Sequence, residues 1–316
     1  MHRLSLVFIT LIVCLVGSVA AQQPRTAEQF NNRGLQRQAQ GDIDGAIEDF
    51  TTALKSPGQQ APLVAVIYYN RANARLSKMD FEGAVADYTK AIEIQPNDPD
   101  GYYNRGVAYL NNADYDHAIA DFSKAIELQP GSPVAYNNRA NARRGKGDLD
   151  GAIADYSKAI ELKPKYAEAL YNRGAARHLK NDLDDAIQDY SDAIAINPEF
   201  TDAYVNRGLV QQAKRNWDAA VADFTTAIKL KPDDWTIYYS RAAVRQEAKD
   251  LNNALADYSK VIELEPTHAE ALANRGVVKM LLGKKADAMR DFEQAFKLNP
   301  DLRPQYKEFI QGQRRP

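Results

Sequence analysis

YYNRGVAYLNNADYDHAIADFSKAIELQP, residues Tyr102 to Pro130, is one of eight versions of the same pattern in this chain. The period is 34 residues, visible in Arg71, Arg105, Arg139, Arg173, Arg207, Arg241 and Arg275, and again in Pro96, Pro130, Pro164, Pro198, Pro232, Pro266 and Pro300. A fixed period of this size settles the architecture before any local reading does. The first copy is centred on Arg33, 38 residues before Arg71, so four residues are inserted near Ser56 to Pro62. With the prolines placed at position 32 of the frame, the copies begin at 27, 65, 99, 133, 167, 201, 235 and 269.

Each copy has the spacing of two amphipathic helices. In the first, position 4 is aromatic or Leu, from Phe30 to Leu272, and position 8 is always Gly or Ala, from Gly34 to Gly276. In the second, position 20 is Ala in every copy, from Ala46 to Ala288, and position 24 is always Phe or Tyr, from Phe50 to Phe292. A small residue opposite a large one lets two helices interlock. Pro at position 32 ends the second helix by removing a donor. Asp98-Pro99 and Ser132-Pro133 then set a capping side chain before a proline at the first helical position. Acidic pairs such as Asp148 with Asp150 and Asp182 with Asp184 sit at second-helix starts, where the helix dipole favours negative charge. They recur with the period, so they are read as helix-start chemistry and not as catalytic carboxylates.

The pattern resembles the tetratricopeptide repeat: aromatic at 4, small at 8, Ala at 20, aromatic at 24, Ala at 27 and Pro at 32. The resemblance covers residues 27 to 302 and implies an all-α, right-handed α-solenoid of eight helix-turn-helix repeats. The boundaries are 27–64, 65–98, 99–132, 133–166, 167–200, 201–234, 235–268 and 269–302. Two departures stand out. Position 7, commonly Leu in the family, is Arg in all eight copies, and position 27 is Val261 in the seventh.

Residues 1–21 carry one formal charge, Arg3, then an apolar run from Leu4 to Val16 and the ending Gly17, Ser18, Val19, Ala20, Ala21. This is the layout of a secretory signal peptide, with cleavage expected after Ala21. The small-residue ending favours cleavage over an uncleaved membrane anchor, and Val13 before Cys14 disfavours a lipoprotein. Cleavage removes the only cysteine, so the exported chain has no disulfide and no thiolate ligand. The expected location is secreted or periplasmic, with no membrane span in the mature chain. Residues 22–26 read as a linker. The stretch SPGQQAPLVAV after the first copy reads as a longer loop holding Pro57 and Pro62. In the eighth copy Lys285 replaces the apolar residue at position 17, and residues 303–316 read as a cap or tail in which Tyr306, Phe309 and Ile310 cover the last open face.

Position 7 Arg and position 23 Asp are present in all eight copies, as in Arg105 with Asp121 and Arg139 with Asp155. The preferred reading is a structural ladder of bidentate pairs between helices. An anion-binding row is disfavoured because the Asp copies would neutralise it.

The candidate function lies one residue earlier. Position 6 is Asn32, Asn70, Asn104, Asn138, Asn172, Asn206 and Asn274, with Ser240 the exception. Asn inside a helix is disfavoured by roughly 0.5 kcal/mol against Ala, so the column needs a reason. Duplication and capping of a neighbouring helix compete with ligand binding. Positions 2, 5, 6, 9, 12 and 13 share one side of the first helix, which in the resembling family lines the concave groove. The column resembles the asparagine ladder of O-GlcNAc transferase, which implies pairing of each amide with an extended peptide backbone. Tyr69, Tyr103, Tyr171 and Tyr239 at position 5 either add contact surface or pack against the next repeat.

Other chemistries lack their signatures. Position 5 is never Lys and position 6 never Arg, so the carboxylate clamp of co-chaperone repeats is matched only in its Asn. His117, His178 and His268 occupy different frame positions without ligand spacing, no Gly-rich phosphate loop follows a strand pattern, and no cofactor is implied. With 40 basic against 42 acidic residues, and Arg143-Arg144 and Arg314-Arg315 only as doublets, nucleic-acid binding lacks its electrostatic footprint. The expectation is an exported, non-enzymatic scaffold that holds a protein or peptide in its groove. The alternatives are an envelope adaptor using the convex face or ends, and a regulatory subunit of a partner enzyme; self-association is left open.

Overall fold

A computed structural model describes residues 26 to 312, without the side chains of residues 308, 309, 311 and 312. The expected leader over residues 1–21, nearly all of the linker after it and the last four residues lie outside this range. All regular structure among the described residues is helical.

The chain divides into two compact units, one up to Asn97 and one from Asp98. In the first, α1 (Ala27–Ala39) pairs with α2 (Ile43–Lys55), and α3 (Ala61–Ser77) with α4 (Phe81–Ile94). In the second, the hairpins are α5 (Pro99–Asn111) with α6 (Tyr115–Leu128), α7 (Pro133–Lys146) with α8 (Leu149–Leu162), and α9 (Ala167–Leu179) with α10 (Leu183–Ile196). They continue as α11 (Thr201–Ala213) with α12 (Trp217–Leu230), α13 (Trp235–Glu247) with α14 (Leu251–Leu264), and α15 (Ala269–Leu281) with α16 (Lys285–Leu298). Within each unit, every second helix packs on the first helix of the next hairpin, so the hairpins stack in sequence order.

Each hairpin closes on the ring at position 24. A Cβ added to Gly34 would lie 2.6 Å from the Phe50 ring, and one added to Gly106 would lie 2.9 Å from Phe122. Where position 8 is Ala, in Ala72, Ala140 and Ala242, position 24 is Tyr and its hydroxyl is anchored. Tyr88 donates to Asn73 at 2.5 Å, Tyr156 to Asn141 at 2.6 Å and Tyr258 to Gln246 at 3.1 Å. The four copies with Phe at position 24 carry Leu35, Val107, Leu209 and Val277 at position 9, with nothing polar to satisfy. Tyr190 departs from this rule. Position 9 is Ala175, and the buried Tyr190 hydroxyl has no partner among the described residues.

Arg at position 7 and Asp at position 23 form the expected ladder. Arg139 grips Asp155 through Nε at 2.8 Å and Nη2 at 2.7 Å, and bidentate pairs of this kind recur in all eight hairpins. The carboxylates are buried, from 1% exposed at Asp49 to 6% at Asp121. A second cation at position 11 holds the same carboxylate in six hairpins, as with Arg143 to Asp155 at 2.9 Å and Lys279 to Asp291 at 2.7 Å. The Arg also reaches back. Arg139 Nη1 donates to Ser123 in the preceding hairpin at 3.1 Å, and Arg173, Arg207 and Arg241 do the same to Ser157, Ser191 and Thr225. One guanidinium thus joins both helices of its own hairpin to the hairpin before it. Its plane lies over the position 4 ring, 5.4 Å from Tyr136 in this case, a contact that suits a cation.

The turns inside the hairpins place position 15 in the left-handed region every time, from Gly41 at φ 84° to Lys249 at φ 65°. In the first four hairpins the second helix then starts on an Asp side-chain cap, as where Asp148 accepts from the backbone N–H of Gly151 at 3.0 Å.

Two features differ from or complete the sequence reading. The inserted residues after the first hairpin are taken up largely as one more turn of helix, since α3 begins at Ala61. Pro57 lies in the short loop, but Pro62 lies in the first turn, where a missing N–H breaks no bond. At the far end, α17 (Arg303–Gly312) follows a 3₁₀ turn over Pro300–Leu302 and lies where the first helix of a ninth repeat would begin. Tyr306 and Ile310 pack on the Phe292 and Phe296 cluster as expected, while the Phe309 side chain is outside the description.

Two stability outcomes follow. Asp155→Ala strands two half-buried arginines and should lower the denaturant midpoint by the equivalent of about 3 kcal/mol; an unchanged midpoint would contradict the ladder's structural role. Tyr156→Phe orphans Asn141 and should lose roughly 1 kcal/mol, whereas Tyr190→Phe removes an unsatisfied hydroxyl and should be neutral or stabilising.

Candidate functional site

In the second unit the first helices of successive hairpins also touch one another, α5 with α7, α7 with α9, α9 with α11 and α11 with α13. Their exposed sides therefore merge into one face carrying positions 2, 5, 6 and 9. In the first unit α1 touches α3 in the same way.

The structure brings the Tyr and Asn of this face together as pairs. Asn138 donates to the Tyr103 hydroxyl at 2.8 Å, Asn206 to Tyr171 at 2.8 Å and Asn274 to Tyr239 at 2.9 Å. Each pair joins position 6 of one hairpin to position 5 of the one before. Where position 5 is Asn, an amide replaces the phenol: Asn70 donates to Asn31 at 2.9 Å, and Asn172 to Asn137 at 3.5 Å. Where position 5 is Val205 there is nothing to accept, and the next position 6 is Ser240, which turns back to the Thr236 carbonyl at 2.9 Å. Asn104 donates to the Asp100 carbonyl of its own helix at 2.9 Å, and Asn32 is exposed. The sequence signal for this pairing is the 35-residue spacing between positions 5 and 6 of neighbouring copies, which a reading of the Asn column alone does not use.

The tyrosine rings pack on the position 24 ring of their own hairpins, and Tyr171 and Tyr239 also meet the residue that caps the first helix of the next. Tyr103 lies 5.8 Å from Phe122, Tyr171 lies 5.8 Å from Tyr190 and 4.8 Å from Phe200, and Tyr239 lies 5.7 Å from Tyr258 and 5.2 Å from His268. In the first unit Tyr69 meets Tyr88 edge-on at 5.7 Å. Burial pushes the phenols of Tyr103, Tyr171 and Tyr239 above 10.0, an effect that the donated Asn amides partly oppose. The pairing consumes one N–H of each Asn. Asn206, half-buried, keeps its other N–H and its carbonyl oxygen among the described residues, whereas the Asn274 oxygen accepts from Tyr306 at 3.1 Å.

Electrostatically the face is acidic along one edge, where Asp100, Glu168, Asp202 and Glu270 stand at position 2. These also occupy the first turns of their helices. No cluster of His, Cys, Asp and Glu suited to a metal ion occurs among the described residues, and His268 instead caps its own helix by accepting from Ala271 at 3.2 Å. No helix among them is long and apolar enough to cross a membrane.

Burial raises the Tyr156 and Tyr166 phenols to about 12, from 10.0. Since these groups hold their protons more tightly folded than unfolded, their contribution is intact below pH ~10 and is lost as pH rises toward 12. Stability should therefore fall steeply across that window, with tyrosinate absorbance appearing together with loss of helix in a parallel alkaline titration; full tyrosine ionisation at pH 10 with the helices intact would contradict it.

Family models described as "TPR repeat" match residues 72–112 and 140–181, and models described as "Tetratricopeptide repeat" match residues 99–132, 167–200, 205–261 and 269–302. No curated protein sequence matches the chain. Among solved structures, YrrB, described as a TPR protein with an unusual peptide-binding site, is 27% identical over 57% of this chain and 93% of its own, with a TM-score of 0.52. MamA is 29% identical over 54% of this chain and 92% of its own, with a TM-score of 0.50. A repeat protein from Cytophaga hutchinsonii, 19% identical, shares the fold over 73% of this chain and 95% of its own with a TM-score of 0.65.

Proposed function

The chain belongs to the tetratricopeptide repeat family, and from that premise we propose that it is an exported, non-catalytic scaffold that holds an extended peptide segment of a partner protein. The fold itself is that of a protein-interaction scaffold. The finer reading places the peptide on the face built by the first helices of the second unit.

The observation that carries it is the Tyr–Asn pairing. Asn side chains held by a neighbouring phenol are fixed in one rotamer, and fixing an amide in advance reduces the entropy lost when a peptide backbone pairs with its remaining N–H and C=O. A tyrosine alongside offers an apolar ring with a polar tip, suited to contacts with a peptide side chain. Repeating the pair along successive hairpins gives the face a regular set of amides, which fits an extended backbone better than a compact ligand. The existence of a peptide-binding site in YrrB, a protein of the same fold, supports the class of ligand. Export rests on the Arg3, apolar run and Ala21 pattern of the leader.

Affinity capture from the extracytoplasmic fraction tests this, comparing the mature protein with a variant carrying Asn104→Ala, Asn138→Ala, Asn172→Ala and Asn206→Ala. The variant should keep its helical content, lose a few kcal/mol of stability as the pairs are removed, and lose a defined partner. Equal capture by both folded baits would assign the Asn column to stability alone.

A further inference from the structure

The last turn of α7 carries three cations, and two of them are fully accounted for. Arg143 binds Asp155 at 2.9 Å and approaches Asp148 at 3.8 Å, while Lys146 pairs with Asp116 of the preceding hairpin. Arg144 lies between them and is half-buried, yet it has no hydrogen bond or ion pair among the described residues. No other copy places a Lys or Arg at this position 12: the equivalents are Gln38, Leu76, Leu110, His178, Gln212, Gln246 and Met280. The hairpin therefore folds without a Lys or Arg here, and the helix end already has two other cations to complement its dipole.

Arg144 stands at position 12 of α7, three residues after Asn141 at position 9 and seven after Asn137 at position 5, on the side of the helix that carries the face. It acts on the phenols of Tyr156 in its own hairpin and of Tyr171 and Tyr190 in the next, favouring their ionised forms against burial. Tyr171 is the residue whose hydroxyl accepts from Asn206, in keeping with a place for Arg144 on the Tyr–Asn face, along which α7 touches α9. On the same side of α7, Asn141 accepts from Tyr156, and Asn137 accepts from the buried Asn172 of the next hairpin. A half-buried guanidinium with no carboxylate at ion-pair distance lacks the anionic partner that such a group ordinarily has. The acidic residues of the face stand at position 2, ten positions before Arg144 in the repeat frame, and none is ion-paired with it.

We propose that Arg144 is the charged anchor of the face and takes a side-chain carboxylate, Asp or Glu, of the bound peptide. The inference rests on the peptide-binding reading above. An Arg fork on a carboxylate is geometrically specific, so it would fix the register of a peptide that the Asn amides hold without regard to sequence. The acidic edge at Glu168 and Asp202 would repel the same carboxylate and so fix which way across the face it points.

A displayed library of random linear peptides, selected on the full chain and on its Arg144→Gln and Arg144→Glu variants, tests the proposal. Since Arg144 has no protein partner among the described residues, both variants should melt with the parent. The parent should enrich peptides with an acidic residue at one fixed place; Arg144→Gln should lose that bias and Arg144→Glu should replace it with Lys or Arg. A selected peptide should weaken about tenfold for the parent when its acid is replaced by the matching amide, with no change for Arg144→Gln. Enrichment without an acidic bias, or the same bias in all three proteins, would overturn the role of Arg144 and leave the peptide-binding face standing. Failure of the parent to enrich any peptide that the four-Asn variant does not would overturn both.

Discussion

A carboxylate buried between two helices is tolerated only if cations reach it, and this fold repeats that arrangement in every hairpin. Asp155 is 4% exposed and accepts from Arg139 and Arg143 at once. Because Arg139 also donates to Ser123 of the preceding hairpin, the same charge cluster specifies both how a hairpin closes and how it stacks. The terminal copy supports this. Position 25 is Ser or Thr in the first seven copies and Glu293 in the last, which no following position 7 Arg needs to reach. A row of buried pairs is weak as net stabilisation but strict about geometry, since a misaligned repeat would leave a charge uncompensated.

That strictness has a consequence for the neighbouring residue. With position 7 turned into the joint, position 6 is rotated by one helical step to the edge of the shared face, where it meets position 5 of the hairpin before. The Tyr–Asn pairs therefore follow from the charge ladder's orientation of the first helix. They bind hairpin to hairpin and at the same time hold amides in fixed rotamers on the surface, so a single pair serves stacking and leaves Asn206 with bonding capacity to offer. Arg144, in contrast, has no stacking duty to explain it.

Two correlations within the chain show how polar atoms in the joints are kept satisfied. Tyr at position 24 goes with Asn at position 9 in two copies, and Phe there goes with Leu or Val. Likewise Asn at position 6 goes with a hydroxyl or amide at the preceding position 5, and Val205 goes with Ser240. Burying a polar atom without a partner is costly enough to couple residues far apart in sequence. Tyr190, with Ala175 beside it, marks where that coupling has lapsed.

By itself the sequence determined the helix-turn-helix repeat, because a 34-residue period of small and aromatic positions leaves one way for two amphipathic helices to interlock. It also determined the Arg–Asp ladder, since opposite charges recurring together at a fixed separation must face each other. Tertiary structure alone decided the rest. Only the stacking of one hairpin on the next brings residues 35 apart within 2.8 Å, turning a column of Asn and a column of Tyr into pairs. The repeat frame sets Arg144 apart from Arg143, but only the structure shows that Arg143 is paired with Asp155 while Arg144 is without an ion pair among the described residues, because partnership with a carboxylate depends on which side of the helix each one faces. The four inserted residues show the same limit: composition marks Pro57 and Pro62 alike as loop, whereas in the structure Pro62 stands in the first turn of α3, where its missing N–H breaks no bond.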